Sequence, residues 1–303
     1  MNKMINPPHG RQNFDNIEDL MLHEFELPCL PQVASRIIQL ASTPESTASD
    51  IEQTIGNDPI IAARALALAN SSYYGLPGQI SSLHEAVVFL GPKSIMKLAQ
   101  DACTTEGFLG KGDQVSLNRR YAWRHSLDVA ICARTIASNL HPTVRETFSP
   151  EQSYAAGLLH DIGKSLMDVS LPETYQSILT CTRGRACRFH EVEYQFVSFN
   201  HATLGAALAS RWNLPKPLRE TIAFHQTPLA SQISTKLTAC VSLANEVAHY
   251  LKDGIHPDDT GGVDSFIERC HDCAIPLRLS RERLIWMAST CRAKLDTAAS
   301  PFM

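Results

Sequence analysis

A chain of 303 residues, 44% apolar and 19% charged, has material for one large or two medium hydrophobic cores. A net charge of −4 at pH 7 and an isoelectric point near 6.3 argue against a broad basic face, so nucleic acid is not an expected partner. No apolar run approaches the roughly 18–20 residues that cross a bilayer, and the N-terminal residues lack the apolar core of a signal peptide.

Apolar residues recur at helical spacing along almost the whole chain, and no stretch alternates strictly between turns, so the reading is all-α. Residues 1–15, with Pro7, Pro8 and Gly10, read as a flexible tail. Leu27-Pro28-Cys29-Leu30-Pro31 is a rigid entry to a helix carrying Val33, Ile37, Ile38 and Leu40. Ser49-Asp50-Ile51-Glu52 has the spacing of a capping box. Asp58 and Pro59 supply the N-cap and first position of a helix running from Ile60 to about Asn70. That helix is apolar on nearly all sides, which places it inside a bundle. Residues 73–78 form a turn, and two further helices are separated at Gly91-Pro92. A loop over 107–115 precedes a long helix over about 117–139, and a polar loop over 141–149 precedes the helix that ends at His160. Further helices are predicted near 172–183, 188–198, 201–212, 215–225 and 234–252. After a loop over 253–262 come two last ones, near 263–272 and 280–296.

Nine cysteines, odd in number and mostly dispersed in apolar helical stretches, read as reduced thiols in a cytoplasmic protein. Cys270-His271-Asp272-Cys273 is a tight cluster, but no second pair stands at zinc-finger spacing, so packing is its expected role. Glu191 and Glu193 point to opposite sides of a helix and do not make a paired-carboxylate device.

The chemistry-bearing residues gather elsewhere. His160 and Asp161 are adjacent at the end of an apolar helix, followed by Gly163 and Lys164. On a continuous helix the two side chains would diverge by about 100°, but at a helix end both can reach one site. His125, His201 and His225 stand near predicted helix ends or on a neighbouring helix, and Asn200 can cap the helix that His201 opens. Imidazoles and a carboxylate converging from separate helices are what a metal centre for phosphate chemistry needs, and Lys164 lies where its ammonium can meet a phosphate. The alternative is a set of separate core and cap histidines, each satisfied by a backbone carbonyl.

These residues resemble the HD superfamily of metal-dependent phosphohydrolases. The resemblance makes His125 the first ligand and His160 and Asp161 the signature pair, with Lys164 as the phosphate-side lysine. His201 and His225 resemble the added histidines of the HD-GYP group, which degrades cyclic di-GMP. Leu27–Pro31, Asn57–Gly75 and Ile80–Gly91, in that order, resemble the HDOD domain, and that likeness covers roughly residues 20–250. It implies a helical N-terminal bundle packed on an HD-domain-like helical bundle. The corresponding division is a tail over 1–19, an N-terminal subdomain over 20–115, an HD-like subdomain over 116–255 and a C-terminal helical extension over 256–303.

The HDOD likeness also implies a bacterial signal-transduction module that has lost hydrolase activity and acts through contacts with signalling proteins. The HD likeness implies a divalent transition metal (Fe, Mn, Ni or Zn, one or two ions) held by His125, His160, Asp161, His201 and His225. It leaves open a nucleotide as small ligand. Several positions depart from the enzymatic pattern. Gln226 follows His225 where HD-GYP enzymes have a second histidine, and Asn245 stands where HD enzymes have a late aspartate. Tyr121 precedes His125 by four residues where a glutamate ligand would sit, and no Gly-Tyr-Pro follows His190. An amide in place of a carboxylate holds a hard cation less tightly, so the expectation is a metal-competent centre with hydrolysis lost. The alternative expectation is an active metal-dependent phosphohydrolase acting on a nucleotide or cyclic dinucleotide, with Lys164 as its catalytic residue.

Overall fold

Helices account for every regular element in the computed structural model, which describes residues 16–23, 25–75, 78–104, 117–182, 187–252 and 260–298; no strand occurs among them. The expected loop over 107–115, the tail over 1–15 and residues 253–259 of the loop expected over 253–262 lie outside the described residues, while residues 260–262 are helical and not loop. Helix α1 (Ile17–Leu22) begins within the span assigned to the tail, because Asn16 caps it and Leu20 is buried. Arg211 ties this segment down by donating to the carbonyls of Met21 and His23 at 2.7 and 2.9 Å.

The N-terminal bundle comprises α2 (Pro31–Ala41), α3 (Ala48–Ile55), α4 (Pro59–Ala69) and α5 (Leu83–Thr104). The capping box of α3 uses Thr47 and Asp50, not Ser49 and Glu52. Both pairs have the required three-residue spacing, so sequence could not separate them. Asp58 caps α4 as expected, accepting from Ile60 and Ile61 N–H, and also accepts from Leu30 N–H at the start of α2. One buried carboxylate thereby fixes two helix N-termini. The apolar α4 is the centre of this half, with eight of its positions buried. Asn70 closes the following turn, bonding both the N–H and the C=O of Ile80. Within α5, Gly91 takes φ 71°, a left-handed conformation that glycine adopts without strain, and Pro92 follows. This is the break expected at Gly91-Pro92.

The second half is built on α6 (Leu117–Asn139), which packs against α8 (Pro150–Leu159) and α14 (Thr235–Lys252). Between α6 and α8 the chain forms one unforeseen turn of helix, α7 (Pro142–Arg145), capped by the His141 ring with Pro142 at its first position. Next come α9 (Ile162–Ser170), α10 (Pro172–Thr182), the short α11 (Phe189–Val192), α12 (His201–Arg211) and α13 (Lys216–Phe224). The helix expected over 188–198 is thus only α11 and a 3-10 turn over Glu193–Gln195.

The C-terminal residues give α15 (Thr260–Arg269), α16 (His271–Leu277) and α17 (Arg281–Thr297), where two helices were expected. They pack back on the second half, α16 on α14 and α17 on α6. Glu246 of α14 joins Arg188 and Arg269, and Tyr250 stacks on Phe266 with ring centroids 4.4 Å apart. In the Cys270–Cys273 cluster both sulfurs are buried while His271 and Asp272 face solvent, so it packs. The two halves share one continuous apolar core through contacts of α4 and α5 with α8.

Candidate metal centre

The helix that carries the His160–Asp161 pair is not continuous. His160 closes α8 and Asp161 precedes α9, with φ −101° and ψ 14° at Asp161. This break lets the two adjacent side chains turn into one pocket. His201 is the first residue of α12, His225 follows the last residue of α13, and His125 lies along α6. The four histidines meet around the Asp161 carboxylate, together with Lys164.

Close backbone packing holds α9 against α12. A Cβ on Gly163 would stand 1.9 Å from the carbonyl oxygen of His201 and 2.7 Å from Gly205 N. Only glycine fits there, and the approach it permits puts His201 against Asp161. Gly157 plays a similar part where α8 crosses α6, since a Cβ there would lie 3.0 Å from Ala130 Cα.

The two carboxylate oxygens of Asp161 face different histidines. Oδ1 lies 3.1 Å from His201 Nε2 and 3.6 Å from His225 Nε2. Oδ2 lies 3.3 Å from His160 Nε2, 3.8 Å from His125 Nε2 and 2.6 Å from Lys164 Nζ. Two overlapping donor groups result, His125–His160–Asp161 and Asp161–His201–His225, with Asp161 common to both.

Three of the imidazoles are oriented through Nδ1. His160 Nδ1 meets the Gly157 carbonyl at 2.7 Å and His225 Nδ1 the Ile222 carbonyl at 2.9 Å, each using a carbonyl left over at a helix end. His201 Nδ1 meets Glu193 Oε2 at 2.8 Å, while Glu193 Oε1 accepts from the His201 backbone N–H at 2.7 Å. With Nδ1–H so committed, the Nε2 atoms present lone pairs to the pocket. A histidine held this way by a carboxylate or carbonyl is the usual arrangement behind a metal ligand.

The fit to a cation shows in what the pocket leaves unsatisfied. His160 Nε2 and Asp161 Oδ1 are buried and find no hydrogen-bond partner. His201 Nε2 and His225 Nε2 face each other at 3.3 Å beside Oδ1. Electron pairs gathered at such range repel unless a cation or proton lies among them. The chemistry of the donors, imidazole nitrogen and carboxylate oxygen, suits a divalent transition metal.

Protonation follows the same logic. Burial pushes Asp161 up, but its neighbours His160 and Lys164 outweigh it and hold the carboxyl well below its ordinary value. Burial lowers His125 to about 3, against the pull of Asp161. Burial, then His160 and His201, bring His225 well below its ordinary value. Burial and Lys164 oppose protonation of His201, and the Asp161 and Glu193 carboxylates outweigh them to raise it. Asp161 is thus held ionised and His125 and His225 neutral, the state in which such groups ligate a metal, whereas His201 is pushed the other way and must give up its second proton to do so.

Further residues complete the pocket. Asn245 of α14 places Oδ1 3.0 Å from His125 Nε2, and the Gln226 amide nitrogen lies 2.9 Å from His225 Nε2. His249, four residues after Asn245 on the same face of α14, stacks on His125 with ring centroids 4.7 Å apart. That spacing was a signal in the sequence that could have flagged it. Glu193 left no such signal. His125 and Lys164 keep 15% and 17% of their side chains exposed, which marks the side open to solvent.

Residues 27–228, more than half of the chain, match the HDOD domain, and the chain belongs to that family. A protein of Treponema pallidum (strain Nichols), itself uncharacterized, is 27% identical over 233 residues, 77% of this chain but 44% of the relative. The chain thus spans less than half of that relative's length. Among solved structures, the MmoQ response regulator of Methylococcus capsulatus str. Bath superposes with a TM-score of 0.65 at 21% identity, over 87% of this chain and 98% of the other. A virulence factor of Campylobacter jejuni subsp. jejuni gives a TM-score of 0.67 at 17% identity, over 92% and 98%. Both share the fold. Among the described residues no helix is long and apolar enough to cross a membrane.

Proposed function

We propose that this chain is a bacterial signal-transduction module of the HDOD type. Its HD pocket holds a divalent transition metal, and it acts in the cytoplasm through contacts with signalling proteins. The observation that carries the reading is the pocket around Asp161. Buried imidazole and carboxylate lone pairs converge there without partners, while Asn245 and Gln226 stand where a hydrolase would carry a carboxylate and a further imidazole. For this module we keep the division proposed from its sequence: an N-terminal subdomain over 20–115, an HD-like subdomain over 116–255 and a helical extension over 256–303. That MmoQ is named a response regulator supports the signalling part.

The ion, when bound, supplies a Lewis acid. The protein's own part is to orient His160, His201 and His225 through Nδ1 and to keep Asp161 ionised. Elemental analysis of protein purified without added metal, followed by Mn²⁺ titration, tests the metal. Absence of Fe, Mn, Ni and Zn together with no binding sinks it. The competing reading, a phosphohydrolase acting on a nucleotide or cyclic dinucleotide, draws on Lys164, whose ammonium stands in the pocket. Its distance of 2.6 Å from Asp161 Oδ2 weighs against it, because that charge is engaged by a pocket carboxylate. Turnover of cyclic dinucleotides that disappears in Asp161→Ala decides for the hydrolase.

A further inference from the structure

The two oxygens of Asp161 are not equivalent, and the difference bears on how many ions the pocket takes. On the Oδ2 side stand His125, His160 and Lys164. His125 Nε2, the atom that faces Asp161, is hydrogen-bonded to the Asn245 amide at 3.0 Å. Either orientation of that amide occupies the nitrogen: if the carbonyl faces it, Nε2 carries the proton and donates; if the amino group faces it, the lone pair accepts. Lys164 already places a positive charge on Oδ2. Of the three donors on that side, His160 Nε2 alone has no partner. An incoming dication would meet the lysine ammonium at short range and gain a neutral amide where a carboxylate would offset its charge.

The Oδ1 side is arranged otherwise. Oδ1 is unpartnered, and the Nε2 atoms of His201 and His225 converge on it from rings fixed at Nδ1. The Gln226 amide nitrogen reaches His225 Nε2 at 2.9 Å from this side, and His201 Nε2 lies 3.3 Å from the same atom, but among the described residues no ammonium stands on Oδ1 as Lys164 does on Oδ2.

We propose that the centre is built for a single ion, held by Asp161, His201 and His225, and that Asn245 and Lys164 close the His125 side to a second. This rests on the metal-binding reading above and narrows it. His125 then acts as a wall of the pocket and not as a ligand.

Mn²⁺ is the probe. The full chain is stripped with chelator, dialysed to equilibrium against Mn²⁺ and assayed for bound metal, with electron paramagnetic resonance of the same samples. One Mn²⁺ per chain with an uncoupled six-line spectrum is expected. His125→Ala should keep that ion with Kd changed less than about threefold, and His225→Ala should weaken it at least a hundredfold. Asn245→Asp should admit a second ion, seen as a stoichiometry of two and spin coupling. Two ions in the wild type, or loss of the single ion in His125→Ala, overturns the proposal while leaving a metal module standing. No ion in the wild type overturns both. A stoichiometry that stays at one in Asn245→Asp overturns the part assigned to Asn245. The wild-type and His125→Ala measurements decide the matter even if His225→Ala does not fold, which thermal melting of each variant shows.

Discussion

A glutamate with no exposed surface needs partners for its oxygens, and Glu193 finds both in His201. Its two oxygens do different jobs: one accepts from the ring Nδ1 and the other from the backbone N–H of the same residue. Glu193→Gln keeps the shape but leaves one acceptor for two donors. Either the ring or the backbone of His201 then loses its bond, and the negative charge that makes Nε2 a better donor is gone. Groups in this position typically contribute 10–100-fold to metal affinity. Mn²⁺ binding should therefore weaken by about that factor in Glu193→Gln, measured by competition with a chelator of known affinity. An unchanged Kd would show that the α12 backbone alone orients the ring.

Among the elements, α9 and α12 decide whether the pocket exists, and two glycines set their spacing. Gly163→Ala places a Cβ against the His201 carbonyl, so the helices must separate or their backbone must bend. Overpacking of this kind costs about 1–3 kcal/mol, and the same displacement moves His201 away from Asp161 Oδ1. The expected result is a lower melting temperature together with weaker Mn²⁺ binding. Gly205→Ala makes a softer test, since its nearest obstacles, Ile222 Cγ2 at 2.9 Å and the Gly163 backbone nitrogen at 3.0 Å, stand farther off than the His201 carbonyl stands from Gly163. Its loss of stability should be the smaller of the two. The contribution of Gly163 to the signature was legible as a motif, but the reason for it was not, because the obstacle lies on a helix 38 residues further on. The same distinction runs through the fold. Asp58-Pro59, Asn200 and Gly91-Pro92 act locally, through a cap or a forced φ, and the sequence shows such signals directly. Glu193 acts eight residues away across a 3-10 turn, and Asn245 acts on His125 across 120 residues, so neither contact has a local signature. The helix α7 escaped for a different reason: one turn is too short to show any period.

At the scale of the whole molecule, the question is whether metal in one half is felt by the other. The helix that ends at His160 is also the helix on which the N-terminal bundle rests: α4 and α5 pack on α8, and Tyr154 of α8 donates to the Gly56 carbonyl at 3.0 Å. The apolar core is continuous across this junction. A shared core of this kind predicts one cooperative unfolding transition. The distribution of tryptophan makes the prediction testable without labels, because Trp123, Trp212 and Trp286 all lie in the second half, while far-ultraviolet circular dichroism reports the helices of both. Urea titrations followed by the two signals should coincide in midpoint. Metal at a hundredfold excess over its Kd adds about 2.7 kcal/mol to the state that binds it. With a single cooperative unit, Mn²⁺ should move both curves by the same amount. If the N-terminal bundle unfolds on its own, the dichroism curve divides, and its first phase stays where it was when the metal is added. That outcome would remove the physical route by which an ion at Asp161 bears on the N-terminal surface, and with it the simplest way for this pocket to regulate a partner bound there.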